Sequence, residues 1–166
     1  LKHPVGLHIF WPSMKVPKVE KGKKKKKAET DSRLKSIQNI DDLIQDSRAY
    51  LKLKETESAS FKHDLRFEGM LPVLTGDIPV FIHANEVRQI EAAVYWADRQ
   101  NLEMVLVGGK DSWRVTTLLK ERGIAVIYTQ TYSTPMRRFE NYDQAFTTPF
   151  QLYEAGVKFC ISNSES

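Results

Sequence analysis

The hydrophobic and polar positions of the chain change period several times, and each change predicts an element. Val5-Gly6-Leu7-His8-Ile9-Phe10 is an apolar, partly β-branched run closed by Trp11-Pro12, which predicts a short strand. From Asn39 the spacing turns helical: Ile40, Leu43, Ile44, Ser47, Tyr50 and Leu51 share one stripe, with Asn39 as N-cap and Asp41 and Asp42 in the first turn. The stretch Glu55 to Ser60 is a polar break. Leu65, Phe67, Met70, Leu71 and Leu74 then mark a second helical stretch, interrupted by Gly69 and Pro72 and closed by Gly76.

One pattern then recurs. The strand Ile78 to His83 leads into a helix over Glu86 to Gln100 with Val87, Ile90, Val94 and Ala97 inward. The strand Met104 to Val107 leads through Gly108-Gly109-Lys110-Asp111 into a helix over Ser112 to Arg122, ended by Gly123. The strand Ile124 to Tyr128 leads through a long loop, Thr129 to Asp143, into a helix over Gln144 to Ala155, ended by Gly156. A last strand, Val157 to Ile161, carries Ser162-Asn163-Ser164-Glu165 at its carboxyl end.

Strands alternating with helices, each strand apolar on both faces, predict an α/β fold with a parallel sheet of βαβ units. The common solutions are a (β/α)8 barrel of the TIM type and an open, doubly wound flavodoxin-like sheet. Five strands are too few to close a barrel and enough for the open sheet. In both, the loops that follow the strands share one edge, and chemistry gathers there.

Composition adjusts this picture in two places. Hydrophobic content of 41% and charged content of 28% fit an ordinary globular chain of 166 residues, expected to form one domain. The net charge of +4 is local: between Lys15 and Lys27, eight lysines oppose Glu20, so the remainder of the chain is −3. Residues 13–38 therefore read as a lysine-rich, low-complexity connection, poorly ordered and solvated, broken by Pro17 and Gly22. Such a run attracts polyanions, but it lacks interleaved aromatics, so no specific nucleic-acid partner is expected.

A single cysteine, Cys160, excludes an internal disulfide and any multi-cysteine zinc site, and it is expected as a buried small hydrophobe. That leaves compartment open between cytoplasm and periplasm. No apolar run approaches the roughly 20 residues that span a bilayer. The start Leu1-Lys2-His3 lacks both an initiator methionine and the pattern of a secretory signal, and Ser166 falls just past an apolar run. Both ends are expected to be cut from something longer.

Chemistry centres on Ile78-Pro79-Val80-Phe81-Ile82-His83-Ala84-Asn85-Glu86, where an apolar strand stops at a histidine and a helix with an early acid follows. Two readings fit. His83 is a metal ligand or acid/base group with Glu86 converging on the same point, or His83 ends a strand and Glu86 complements a helix dipole. His8 is read as packing, and His3 and His63 show no ligand spacing. Gly108-Gly109 ahead of a helix offers backbone N–H groups to an anion, but without phosphate-loop spacing it reads better as a tight turn.

Leu71 to Ala84, then Val105-Leu106-Val107-Gly108-Gly109 and Ala155-Gly156-Val157-Lys158-Phe159, resemble the metal-dependent amidohydrolase superfamily, in its imidazolonepropionase-like branch. The resemblance implies that residues 1–166 are a portion of a (β/α)8 barrel, its five strands corresponding to barrel strands four to eight. It implies hydrolysis of carbon–nitrogen bonds in amides or cyclic amides by water activated on a divalent metal, zinc. His83 is then the metal ligand, Glu86 the catalytic proton carrier, and Arg137, Arg138 and Asn163 substrate contacts. The family's paired histidines after strand one have no counterpart in this chain. Gly108-Gly109 stands where a further histidine is usual, and Ser162-Asn163-Ser164 where a metal-binding aspartate is usual. A hydrolase with fewer ligands and a barrel kept as a binding or structural subunit both follow. The expected partners are a small-molecule substrate, the rest of the barrel or a partner chain, and a second copy in a homo-oligomer.

Overall fold

The computed structural model describes residues 4–15, 23–56, 62–135 and 137–163, with side chains of 23–31 excepted. Pro17, Lys18, Lys21, Gly22, His3, Ser164 and Glu165, all used in the sequence reading, lie outside the described residues. Five strands form one sheet: β1 (Leu7–Phe10), β2 (Val80–Ala84), β3 (Met104–Gly108), β4 (Ala125–Tyr128) and β5 (Phe159–Ile161). Six α-helices are described: α1 (Lys23–Glu55), α2 (Leu65–Glu68), α3 (Leu71–Leu74), α4 (Val87–Gln100), α5 (Thr116–Glu121) and α6 (Gln144–Ala155).

The strands are all parallel and lie in the order β1-β2-β3-β4-β5. Each crossover advances by one strand, and the buried side chains of α1, α4, α5 and α6 join a single cluster on one face. That face carries Val80, Ile82 and Ala84 from β2, Met104 and Leu106 from β3, and Val126 and Tyr128 from β4. Ile44, Ile90, Val94, Trp96, Leu119 and Leu152 cover them. A doubly wound sheet reverses its strand order and sends helices to both faces, and these five strands show no reversal. The parallel α/β sheet is consistent with part of a βα barrel and with an open α/β fold.

Side chains alternate across a strand, so the opposite face carries His8, Phe10, Phe81, His83, Val105, Ala125, Ile127 and Cys160. This face is partly open. Phe10 is 75% exposed, and Cys160, expected to be buried, is exposed.

Helix α1 differs from expectation in length. It starts at Lys23 rather than Asn39, so the second part of the expected connection is helical. After Gly22 the chain contains no proline or glycine until Gly69, and Lys, Ala, Glu, Arg and Leu are strong helix formers. Asp41, expected in a first turn, sits within the helix and accepts hydrogen bonds from Trp96 Nε1 (2.7 Å) and Gln100 Nε2 (3.1 Å) of α4. Arg48 donates to the Gln100 carbonyl, so α1 is tied to α4 at two levels.

Helix α6 holds Pro149 in its interior. Proline has no N–H for the carbonyl four residues back, here Ala145. The buried Tyr128 hydroxyl of β4 donates to that carbonyl instead, at 3.0 Å. Tyr128→Phe leaves the carbonyl without this donor, and the expected loss is about 1–2 kcal/mol of unfolding free energy, measured by urea denaturation.

Candidate active site at the carboxyl edge of the sheet

The loops after β1, β2, β3 and β4 enclose a cleft of about 680 Å³. Ser13 and Lys15 come from the first loop, Asn85, Glu86 and Gln89 from the second, and Lys110 and Asp111 from the third. Gln130, Arg137 and Glu140 come from the long fourth loop.

The second loop is held by Gln89. Its Oε1 accepts from the Asn85 N–H at 2.9 Å and from the Glu86 N–H at 3.5 Å, while its Nε2 donates to the Trp11 carbonyl at 2.6 Å. Glu86 is the N-cap residue of α4, with extended backbone, and its carboxylate meets Lys15 Nζ at 2.8 Å. The third loop is the tight turn the glycines suggested. Gly109 N–H donates to the Ala84 carbonyl (2.9 Å) and Asp111 N–H to the Asn85 carbonyl (2.8 Å), so neither amide is offered to an anion. Gly108 has φ +96°, and a Cβ there would stand 2.6 Å from Asn85 Oδ1.

The fourth loop is clamped to the third by Arg137. Its guanidinium donates to both Asp111 oxygens, at 2.8 and 2.6 Å, and to Glu140 Oε1 at 2.6 Å. The two carboxylates are almost fully buried, at 3% and 4% exposure. Asp111, then Glu140, hold the guanidinium proton more tightly than usual and raise its pKa. Asp111 Oδ2 also accepts from the Val87 N–H at 3.2 Å, so one carboxylate links β3, α4 and the fourth loop.

His83 and Glu86 are not brought together. Strand alternation puts His83 on the open face, outside the cleft lining, while Glu86 lies past the strand end in the cleft. His83 Nε2 lies 2.9 Å from His8 Nδ1, a hydrogen bond in which one ring donates and the other accepts. Phe10 stacks on His83 with ring centroids 4.2 Å apart. Burial, then the neighbouring His8, lowers the pKa of His83 below its ordinary 6.5.

The remaining expected site residues separate. Arg137 lines the cleft with its guanidinium committed to carboxylates, which makes it a positioning residue for the loop. Arg138 and Asn163 are exposed and outside the cleft lining. His8, expected to pack, is the partner of His83. The first strand is separated from the second by three helices within 69 residues, so only the pairing Phe10↔His83 shows that the two rings share a face. Glu140 had no signal beyond its place three residues after Arg137.

Zinc is held by about four donors. Among the described residues no group of three or more His, Cys, Asp or Glu side chains is placed to hold a metal ion. The His8–His83 pair supplies two nitrogens at hydrogen-bonding distance, which does not amount to a metal site by itself.

No family model matches the sequence, and no curated protein matches it. A similar solved structure is that of an amidohydrolase from Thermotoga maritima MSB8, with a TM-score of 0.78 and 23% sequence identity. The match covers 99% of this chain and 43% of that protein, so the chain spans less than half the length of its structural neighbour. At this identity the likeness establishes the fold: a parallel α/β arrangement present in an amidohydrolase.

Two expected outcomes follow from the geometry. Arg137→Leu leaves Asp111 and Glu140 buried without their guanidinium, and the expected cost is about 3 kcal/mol, measured by chemical denaturation at pH 7. The second concerns His83. Its folded-state pKa is below the unfolded one, so the unfolded chain binds more protons near pH 6.5. Stability is fully present above about pH 6.5 and declines as pH falls toward the depressed folded value. Denaturation midpoints between pH 5 and 8 are expected to show that decline, and His83→Gln is expected to flatten it.

Proposed function

We propose that this chain is part of an amidohydrolase-like hydrolase acting on carbon–nitrogen bonds of small amides or cyclic amides, in the imidazolonepropionase-like branch. The observation that carries the reading is the His8–His83 pair. It lies on the open face of a singly wound parallel sheet, and His83 stands two residues before Asn85 of the polar cleft. The strand order is the one a (β/α)8 barrel uses, and the open face would be its interior, covered by the rest of the barrel or by a partner chain.

A divalent metal, zinc in this proposal, would supply an activated water for attack on the amide carbon. His83 is its proposed ligand in the complete protein, with His8 beside it, and further donors would lie outside the described residues. The cleft presents acidic, basic and amide side chains in near balance, which suits a small polar substrate with hydrogen-bonding groups at both ends. Glu86, in the cleft beside Lys15, is the group proposed to carry a proton between water and the leaving nitrogen.

A second reading has an observation of its own. Glu86 is engaged by Lys15, Arg137 by two carboxylates and His83 by His8, so the expected functional groups are satisfied by one another. That state suits a barrel kept for binding or assembly. Metal analysis of the full-length protein separates the two. The hydrolase reading expects about one equivalent of zinc per chain, lost in His83→Ala without loss of fold. Absence of bound zinc from both proteins would overturn it in favour of the binding subunit.

A further inference from the structure

Helix α6 faces the sheet with Thr148 and Leu152, both fully buried. A residue advances about 100° around a helix, so Phe146 and Phe150, two positions either side of Thr148, point directly away from the sheet. Tyr153 follows on the same outer stripe, and Tyr142 leads into it from the preceding turn. The four are 87% (Tyr142), 62% (Phe146), 59% (Phe150) and 72% (Tyr153) exposed. Helices flanking α6 in the layer around the sheet would meet its sides, about 90° from Thr148, and would leave this stripe uncovered. It is therefore a different surface from the open sheet face.

The stripe is symmetric in sequence. Tyr142 and Tyr153 lie at nearly equal distances from residue 148, and so do Phe146 and Phe150. Two antiparallel copies of α6, related by a two-fold axis near Thr148, bring Phe146 against Phe150 of the second copy and Tyr142 against its Tyr153. Phenylalanine then meets phenylalanine at the centre and tyrosine meets tyrosine at the rim, the self-complementarity that an isologous contact requires. Antiparallel packing also sets the positive end of each helix dipole beside the negative end of the other.

Area agrees with a pair of this kind. At roughly 200 Å² per aromatic side chain, the exposed fractions amount to about 560 Å² per copy and about 1,100 Å² for the pair. The area per copy stands at the upper end of the roughly 300–600 Å² that the largest patch of a monomer covers, and the pair reaches the lower end, roughly 1,000–1,200 Å², for a specific interface. We propose that the outer face of α6 is a homodimer contact, two copies packing antiparallel through Tyr142, Phe146, Phe150 and Tyr153. This is independent of the reading of the cleft.

The test uses the full chain with Cys160→Ser, which removes the exposed native thiol. Sedimentation equilibrium is expected to show reversible dimerisation, weakened at least about 30-fold by Phe146→Glu with Phe150→Glu, with an unchanged circular dichroism spectrum. Register is tested by oxidation. A chain with Tyr142→Cys mixed with one carrying Tyr153→Cys is expected to form a disulfide-linked dimer, while each alone is not. A monomer at all concentrations, association that survives the double glutamate variant, or crosslinking of Tyr142→Cys with itself would each overturn the proposal.

Discussion

A parallel sheet is stable when side chains cover both of its faces, because every strand presents apolar groups above and below. In this chain the covering is one-sided. Val80, Ile82, Leu106 and Val126 are sealed by α1, α4, α5 and α6, and the reverse face keeps Phe10, Ile127 and Cys160 in contact with solvent. The order of the strands causes this, since crossovers that always advance to the next strand lay their helices on the same side. The two imidazoles sit on the open side for the same reason, His8 and His83 being brought to adjacent strands with the alternation of the open face.

The cleft at the carboxyl edge is built on a different principle. Its charged groups are arranged as opposed pairs, with Glu86 beside Lys15 and Arg137 between Asp111 and Glu140. The Arg137 cluster is structural as much as chemical: a 15-residue loop between β4 and α6 is held to β3 by one guanidinium on buried carboxylates. The pair involving Lys15 is exposed and contributes little to stability, so Glu86 is the acid of the cleft whose partner is readily displaced.

Helix α6 joins the two regions. Its inner residues pack on β4, and the Tyr128 hydroxyl takes over the carbonyl that Pro149 releases. Its outer residues carry the aromatic stripe, where a globular chain would ordinarily place charge. Pro149 and the stripe coincide in one turn, so the helix is braced from the sheet at the level where its outer face is most apolar.

Much of this was legible in the residues. Apolar runs of strand length followed by helical periods marked β2 to β5 and α4 to α6 within a few residues, because local hydrophobic period reports the backbone conformation that buries it. The edge at which candidate residues gather followed from the parallel βαβ pattern, and Gly108-Gly109 was readable as a turn because positive φ favours glycine. The sequence by itself thus determined the elements, their class and the edge that carries polar groups. Tertiary structure alone decided the order of the strands, and with it which face stays open, that His83 meets His8 instead of Glu86, and that Arg137 is occupied by Asp111 and Glu140. Those outcomes depend on contacts between residues 26 to 75 positions apart, and no local period records which distant strand or loop will be the neighbour.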